Sequence, residues 1–138
     1  MEDFIHLHVH THYSILDGQS KIPRIVDKAV ADGMKGMAIT DHGVMFGIKE
    51  FTDYCAKINK GRKKEGLEPF KPIIGCERYV ARHSKFVKVA ENGDKSGHHL
   101  IVLAKNYEGY KNLIKLVSRA WVDGYYYRPR TDREDLEK

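Results

Sequence analysis

The N-terminal stretch of this chain repeats histidine at every second position, as His6, His8, His10 and His12. Alternate side chains of a β-strand point to the same face, so residues 4–10 are predicted to form a buried strand that presents imidazoles together. Neutral imidazole is the commonest ligand for zinc-like metal ions in proteins. Asp17 and Gly18 follow as a turn signal that places a carboxylate near the end of this strand. The stretch therefore predicts one wall of a metal site.

Histidines on an exposed strand can also form a solvated surface that binds nothing. The rest of the chain favours a metal site, because metal-binding side chains recur at the ends of other apolar runs. They are Asp41 and His42 after residues 36–40, Glu77 near the end of 72–80, and His98 and His99 at the start of 98–104. In α/β folds, catalytic groups gather where parallel strands end. Since His99 begins its strand, we expect that strand to start close to the site or to run the opposite way.

Composition places the chain among ordinary globular proteins. Its 138 residues, 41% hydrophobic and 31% charged, suit one domain with an apolar core. No apolar run approaches the ~20 residues that span a bilayer, and a signal-peptide pattern is absent, so we expect a cytoplasmic protein with no membrane partner. Cys55 and Cys76 are in no CxxC pattern and are expected to stay reduced. The net charge of +5 permits an anionic partner without requiring one.

Apolar periodicity predicts helices between the strands. The first is expected to start after an N-cap at Ser20 and to end at Gly33. The second starts near Ile48, and its basic end is expected to be broken at Gly61 and Gly66. Strands that alternate with helices predict a parallel α/β sheet or barrel.

A third helix is predicted after Asn106, whose side chain suits an N-cap. Its predicted core face consists of Tyr110, Leu113, Ile114, Val117 and Trp121. Residues 81–97 are polar and carry a turn signal at 92–94, which is compatible with a strand pair or with a flexible insertion.

Four motifs together resemble the polymerase and histidinol phosphatase (PHP) domain family. They are HLHVHTHYSILDG at 6–18, AITDHG at 38–43, IIGCE at 73–77 and HHLIVLAKN at 98–106. The match covers essentially the whole chain and is closest to the branch in the alpha subunit of bacterial replicative DNA polymerases, which the tail GYYYRPRTDREDL also resembles. The resemblance implies an α/β fold, a distorted seven-stranded, TIM-like β/α barrel. Residues 1–138 would form the N-terminal half of that PHP domain, with the second half absent.

The same resemblance implies a cluster of up to three divalent metal ions, which would be zinc, manganese or iron. The implied metal ligands are His8, His10, Asp17, His42, Glu77 and His99. His10, Asp17 and His42 would also be catalytic. Asp41 and His12 would lie behind the ligands, with Asp41 orienting His42. Complete family members carry later ligands that have no counterpart after His99.

Two basic stretches are candidates for nucleic-acid contact. They contribute Lys60, Arg62, Lys63, Lys64, Arg128 and Arg130. The run at 57–64 also fits a solvated helix end. The tyrosine-rich tail at 125–130 could stack on nucleic acid, but it also fits docking against the rest of a polymerase.

Three functions are compatible with these features. The first is a metal-dependent phosphoesterase, in particular a 3′–5′ proofreading exonuclease, within a replicative polymerase alpha subunit that carries out DNA-directed DNA synthesis. The second is a scaffold, braced by metal, that binds the separate proofreading exonuclease subunit. The third is a free-standing phosphatase, which the polymerase-like tail disfavours. The implied partners are DNA, the rest of the alpha subunit and that exonuclease subunit. An isolated half barrel is expected to be inactive, and its open sheet edge favours self-association.

Overall fold

The computed structural model describes residues 4–89 and 97–138, which form helices and strands around one long central strand. The strands are β1 (Gly36–Ile39), β2 (Lys71–Val80), β3 (His98–Leu103), β4 (Tyr125–Tyr126) and β5 (Arg128–Thr131). The helices are α1 (Ile22–Ala31), α2 (Ile48–Lys64), α3 (Tyr107–Val122) and α4 (Arg133–Leu136). None of these helices is both long enough and apolar enough to cross a membrane. The turn predicted at residues 92–94 lies outside the described residues.

Three strands pair with β2, so it forms the centre of a mixed sheet. β1 runs parallel to the first part of β2, and β5 runs parallel to its last two residues. β3 runs antiparallel along the second part, with Tyr79 opposite His99. The α/β class is therefore confirmed, and the sheet is mixed rather than purely parallel. Parallel strands need a crossover, usually a helix, and the described part of the link from β2 to β3 contains none. The antiparallel β3 agrees with one of the two alternatives predicted for that strand, namely that it runs the opposite way.

The predicted buried strand at residues 4–10 is wrong, although the segment does run beside β1. The Ala38 N–H donates to His6 O, and the Thr40 N–H donates to Val9 O. The two residue steps from Ala38 to Thr40 thus match three residue steps from His6 to Val9. An extra residue of this kind interrupts a ladder as a β-bulge does. All seven residues of the segment are also exposed or half-buried rather than buried.

Two apolar cores hold the helices on the sheet. The larger one joins α1, α2 and β1 through Ile22, Val26, Ala29, Met37, Ile39, Ile48, Phe51, Cys55 and Phe70. The smaller one lies under α3 and contains Cys76, Leu113 and Leu116. Both cysteines are free and buried, as predicted. Burial raises the pKa of the Cys55 thiol to about 11, so it is protonated and acts as a small apolar side chain.

The ends of α1 and α2 agree only in part with the prediction. Lys21 rather than Ser20 is the N-cap of α1, and Pro occupies the first turn, where its missing N–H costs nothing. Gly33 follows the end of α1 with a positive φ, as expected. α2 continues through Gly61, because one helical glycine costs only about 1 kcal/mol and tertiary packing can exceed that. Gly66 follows the end of α2, also with a positive φ.

α3 begins as predicted but buries a different face. The Asn106 side chain accepts a hydrogen bond from the Gly109 N–H at 2.9 Å. Of the predicted core face, only Leu113 is buried, whereas Trp121 is 45% exposed. The buried residues of the helix are Leu113, Leu116 and Ala120. Apolar residues cover a wide arc of α3, so periodicity alone does not decide which part of that arc meets the sheet.

A buried ion cluster joins residues 81–89 to the start of α4. Lys85 Nζ lies 2.8 Å from Asp135 Oδ2 and 3.6 Å from Asp132 Oδ1, and none of the three side chains is more than 6% exposed. Burial alone would lower the pKa of Lys85, but the hydrogen bond to Asp135 and the charge of Asp132 raise it above 10.5. Burial would likewise raise the pKa of Asp132, but hydrogen bonds from the backbone N–H groups of Lys85 and Asp135 lower it. Lys85 and Asp132 are therefore both charged near neutral pH.

Replacing Lys85 with Met should lower the free energy of unfolding by about 3 kcal/mol, because two buried carboxylates lose their shared cation. Urea denaturation followed by circular dichroism measures this loss. The matched control is Lys49→Met, whose lysine is 84% exposed beside Asp53 and should contribute less than about 1 kcal/mol. Similar losses in the two variants would contradict a structural role for the buried cluster.

The contribution of this cluster should depend on pH in a defined direction. Asp132 has a pKa below 3.8 in the folded chain, so its stabilisation is present above that pH and is lost as the pH falls through the folded value. Lys85 has a raised pKa, so its stabilisation is present below 10.5 and is lost as the pH rises through the folded value. The stability difference between the wild type and Lys85→Met should therefore be constant from about pH 5 to 10 and shrink outside that window. Denaturant titrations at a series of pH values test this.

Candidate metal centre

Four histidines surround the carboxylate of Glu77. His8 Nε2 and His10 Nε2 lie 2.9 Å and 2.5 Å from Glu77 Oε2. His99 Nδ1 lies 2.5 Å from Oε1, and His42 Nδ1 lies 3.3 Å from Oε2. Because the Glu77 side chain is only 2% exposed, its carboxylate forms the buried centre of this cluster.

The sheet explains how distant residues meet at Glu77. His42 follows β1 and forms an isolated parallel bridge with Glu77, which places the two residues side by side. On the other edge of β2, Tyr79 pairs with His99 of β3. Because alternate residues of a strand share a face, Glu77 and Tyr79 point the same way. His99 can therefore reach the carboxylate although it starts its strand rather than ends it.

Asp17 joins the cluster from the loop after residue 10. Its Oδ2 lies 2.7 Å from His42 Nε2 and 2.8 Å from His10 Nδ1. These hydrogen bonds, that of His42 first, lower the pKa of Asp17 below 3.8. Burial alone would raise the pKa of Glu77, but hydrogen bonds from His8 and His10 outweigh it and lower the pKa below 4.5. Both carboxylates are therefore ionised near neutral pH.

The six predicted ligands form three overlapping groups, in each of which the ligand atoms all lie within 4.8 Å of one another. The groups are His8–His10–Glu77, His10–Asp17–His42 and His42–Glu77–His99. They suit a cation, because His42 Nδ1 is buried without a hydrogen-bond partner although Glu77 Oε2 lies 3.3 Å away. An imidazole lone pair that faces a carboxylate is satisfied by a positive ion between them. This His/Glu cluster thus has the character of a divalent metal site, while the role of each ligand stays a prediction.

Asp41 fixes the loop that follows the histidine repeat, and its predicted role in orienting His42 stays a prediction. It accepts hydrogen bonds from the Thr11 N–H at 2.6 Å, the Thr11 hydroxyl at 2.8 Å and the Ser14 hydroxyl at 2.7 Å. Ser14 Oγ in turn accepts the backbone N–H of His42 at 3.1 Å. Sequence reasoning missed Thr11 and Ser14. Their only sequence signal is two short hydroxyl side chains, three positions apart, in the loop after the histidines.

Two histidines of the N-terminal repeat lie outside the three groups. The His6 ring packs edge-on against Phe4, with ring centroids 4.8 Å apart. The His12 ring lies 4.3 Å from the Tyr13 ring, and its buried Nδ1 has no hydrogen-bond partner. A supporting role for His12 behind the ligands stays a prediction.

The structure divides the basic residues predicted to contact nucleic acid. Arg130 is fully buried and donates to the carbonyl oxygens of Lys85 and Val87, both at 3.0 Å. The prediction for Arg130 is therefore wrong, because a buried guanidinium cannot meet a phosphate. Arg62 is half-buried and donates to Glu68 O at 2.7 Å. The exposed members of the set are Lys60, Lys63, Lys64 and Arg128.

Comparison with known proteins agrees with the motifs. The family model for the PHP domain matches residues 6–138. The chain belongs to the PHP domain family. It is 51% identical over 135 residues to DNA polymerase III subunit alpha of Borreliella burgdorferi, covering 98% of this chain and 11% of that protein. It is 46% identical over 133 residues to the subunit of the same name from Treponema pallidum, covering 96% of this chain and 10% of that protein. The chain spans about a tenth of the length of these curated relatives and matches their N-terminal part.

A crystal structure of a provisionally named metal-dependent phosphoesterase from Bifidobacterium adolescentis also resembles this PHP domain. The TM-score is 0.45 at 21% sequence identity, and the match covers 86% of this chain and 32% of the other. This likeness is too weak to support a conclusion about fold or chemistry.

In this PHP domain, His99→Ala should weaken Mn²⁺ binding by at least roughly tenfold. Removing a residue that only hydrogen-bonds to a metal ligand already lowers metal affinity by about that factor. Isothermal titration calorimetry of the chain with Mn²⁺ measures the affinity. The control is His98→Ala, because His98 is exposed and belongs to none of the three groups. Wild-type affinity in both variants would contradict the assignment of His99 to the centre.

Proposed function

We propose that this chain is the N-terminal PHP region of a bacterial replicative DNA polymerase alpha subunit, and that its metal centre hydrolyses phosphoesters. The observation that carries the proposal is the set of three overlapping ligand groups, two of which contain Glu77. Relatives at 51% and 46% identity, both DNA polymerase III alpha subunits, support the parent protein. A 3′ DNA end is the substrate that suits both the metal centre and a replicative DNA polymerase alpha subunit.

The number of lone pairs limits how the three groups can be filled. A neutral imidazole offers one lone pair, so His10 and His42, which each belong to two groups, bind one ion each at a time. The residues of the two outer groups, His8–His10–Glu77 and His42–Glu77–His99, would therefore hold two ions, and Glu77 belongs to both groups. Asp17 then accepts the remaining N–H groups of His10 and His42 and fixes their orientation. A third ion would need ligands beyond these six. Mixed nitrogen and oxygen ligands suit zinc, manganese or iron.

The surroundings of the centre suit hydrolysis of a phosphate ester. Divalent cations there would lower the pKa of a water molecule and neutralise negative charge on a phosphate. The protein contributes orientation, because Glu77 and Asp17 hold imidazoles from separate segments in one place. His8 and His99 are 54% and 52% exposed, so a phosphate can approach the centre from their side.

The chain is proposed to be the N-terminal half of a β/α barrel that the longer polypeptide completes. Residues 4–10 bond to β1, and a groove of about 930 Å³ lies between this segment and α1. The groove leaves room for further chain to pack beside the segment. The rest of the alpha subunit is therefore the first proposed partner, and the isolated chain is expected to lack activity.

A second candidate function is a scaffold that binds the proofreading exonuclease subunit, with metal bracing the fold. An apolar groove of about 470 Å³ lies between residues 44–46 and α3. Phe46, Trp121 and Val122 line it and are 67%, 45% and 80% exposed. Contiguous exposed apolar surface of this kind marks protein interfaces.

The test uses the full-length polypeptide that carries this sequence, purified without its exonuclease partner. Hydrolysis of 5′-labelled single-stranded DNA from the 3′ end is measured together with bound metal. His10→Ala should reduce hydrolysis by at least roughly 100-fold, because it removes a ligand shared by two groups. His6→Ala, from the same segment but outside the groups, should retain hydrolysis.

Hydrolysis that survives in His10→Ala would eliminate the catalytic proposal. A wild-type protein that binds metal but hydrolyses no DNA would favour the scaffold, especially if His10→Ala lowers the melting temperature while polymerisation persists. A protein that binds no divalent metal would contradict both candidates.

A further inference from the structure

We propose that Arg128 binds a phosphate of a polynucleotide substrate, next along the strand from the phosphate at the metal centre. The inference rests on the proposed phosphoesterase function and adds a residue that would select a polynucleotide substrate. The preferred substrate is then a nucleic-acid strand rather than a small phosphate monoester.

The register of β5 brings Arg128 to the metal centre. Tyr79 pairs in parallel with Arg130, two residues beyond Glu77 on β2. Glu77 itself bridges to His42 in the same parallel sense. Arg128 lies two residues before Arg130, so β5 begins beside the turn that carries His42.

The backbone on both sides of Arg128 is tightly constrained. Pro129 follows it and packs so closely on Gly43 that a Cβ at Gly43 would lie 2.8 Å from Pro129 Cγ. Tyr127 precedes it with a φ of 57°, in the left-handed region that non-glycine residues rarely adopt. Tyr127 thereby reverses the chain, and Tyr126 of β4 pairs with Arg128. Arg128 is therefore held at a defined position beside the centre.

The side chain of Arg128 lies one aromatic ring away from the proposed ligands. Its guanidinium carbon is 5.6 Å from the centroid of the Tyr79 ring. That ring lies 5.0 Å from the His99 ring and 6.1 Å from the His42 ring. This separation suits the neighbouring phosphate of a strand better than the phosphate held at the ions.

Arg128 is also available to an anion. Its side chain is exposed, and no carboxylate pairs with it within the part of the chain that the structure describes. Its planar guanidinium can donate two parallel hydrogen bonds to a phosphate. The adjacent Tyr127 is 60% exposed, so a base of the same strand could stack on it. A monoester such as p-nitrophenyl phosphate has neither a second phosphate nor a base to use these groups.

The experiment measures binding rather than turnover. The chain loaded with Mn²⁺ is titrated into a fluorescein-labelled tetrathymidylate with phosphorothioate linkages, and fluorescence anisotropy is recorded at several KCl concentrations. Arg128→Gln should weaken binding by roughly tenfold, the loss of one charge-assisted contact. It should also reduce the slope of log affinity against log salt by about 0.7. Arg128→Lys, which keeps the charge, should keep most of that slope.

Two controls define the result. Arg133→Gln removes an arginine that is 88% exposed beside Glu137 on α4, and it should leave tetrathymidylate binding unchanged. Competition by p-nitrophenyl phosphate, which occupies only the metal centre, should be equal in the wild type and Arg128→Gln. The assignment would be overturned if Arg128→Gln weakened the binding of tetrathymidylate and of p-nitrophenyl phosphate equally. It would also be overturned if Arg128→Gln bound tetrathymidylate as tightly as Arg133→Gln does. A loss of Mn²⁺ affinity in Arg128→Gln would overturn it as well, because it would make Arg128 a structural residue.

Calorimetry with Mn²⁺ separates this inference from the proposed function. A wild-type chain that binds no Mn²⁺ contradicts the metal centre itself. If the wild-type chain binds Mn²⁺ but its affinity for tetrathymidylate equals that of Arg128→Gln, only the role of Arg128 is contradicted.

Discussion

The burial of one carboxylate, Glu77, dictates the arrangement around the sheet. An ionised carboxylate removed from water is costly unless hydrogen bonds and positive charge compensate for it. Here the Glu77 side chain is 2% exposed, and imidazole nitrogens from the N-terminal segment, the turn after β1 and the start of β3 face it. Three separate parts of the chain thus have an electrostatic reason to end at one point. A divalent cation would strengthen this convergence, because it satisfies the carboxylate and the imidazole lone pairs together.

A second buried carboxylate, Asp41, has a different task. Its oxygens accept hydrogen bonds from the backbone and hydroxyl of Thr11 and from the hydroxyl of Ser14. Ser14 also receives the backbone N–H of His42. Asp41 thus closes the loop after the histidine repeat onto the turn after β1. Glu77 therefore faces the imidazoles, whereas Asp41 stabilises the backbone that carries them.

The C-terminal residues return to the same turn. Trp121 Nε1 of α3 donates to Gly43 O at 2.8 Å, and Pro129 of β5 packs on Gly43. The turn that carries His42 is therefore held in part by residues 78 or more positions away in the sequence. The exposed groove that Trp121 lines and the Arg128 side chain both lie beside this turn. Contacts made by a partner or by a nucleic-acid strand at these surfaces would act close to the metal centre.

Local patterns determined much of this protein. Helical periodicity, the Asn106 cap and the glycine after α1 predicted the helices. Metal-binding side chains near the ends of the apolar runs predicted a metal site, and the resemblance to the PHP family implied the six ligands that the structure brings together. Long-range contacts decided the rest. The extra residue between His6 and Val9 depends on hydrogen bonds to β1, and the direction of β3 depends on pairing with β2. The burial of Arg130 depends on hydrogen bonds to carbonyl groups some 45 positions away. The face that α3 buries depends on its packing against the sheet, because the apolar arc of the helix is wider than the buried part. A sequence specifies which groups a segment offers, but their partners exist only once the chain has folded.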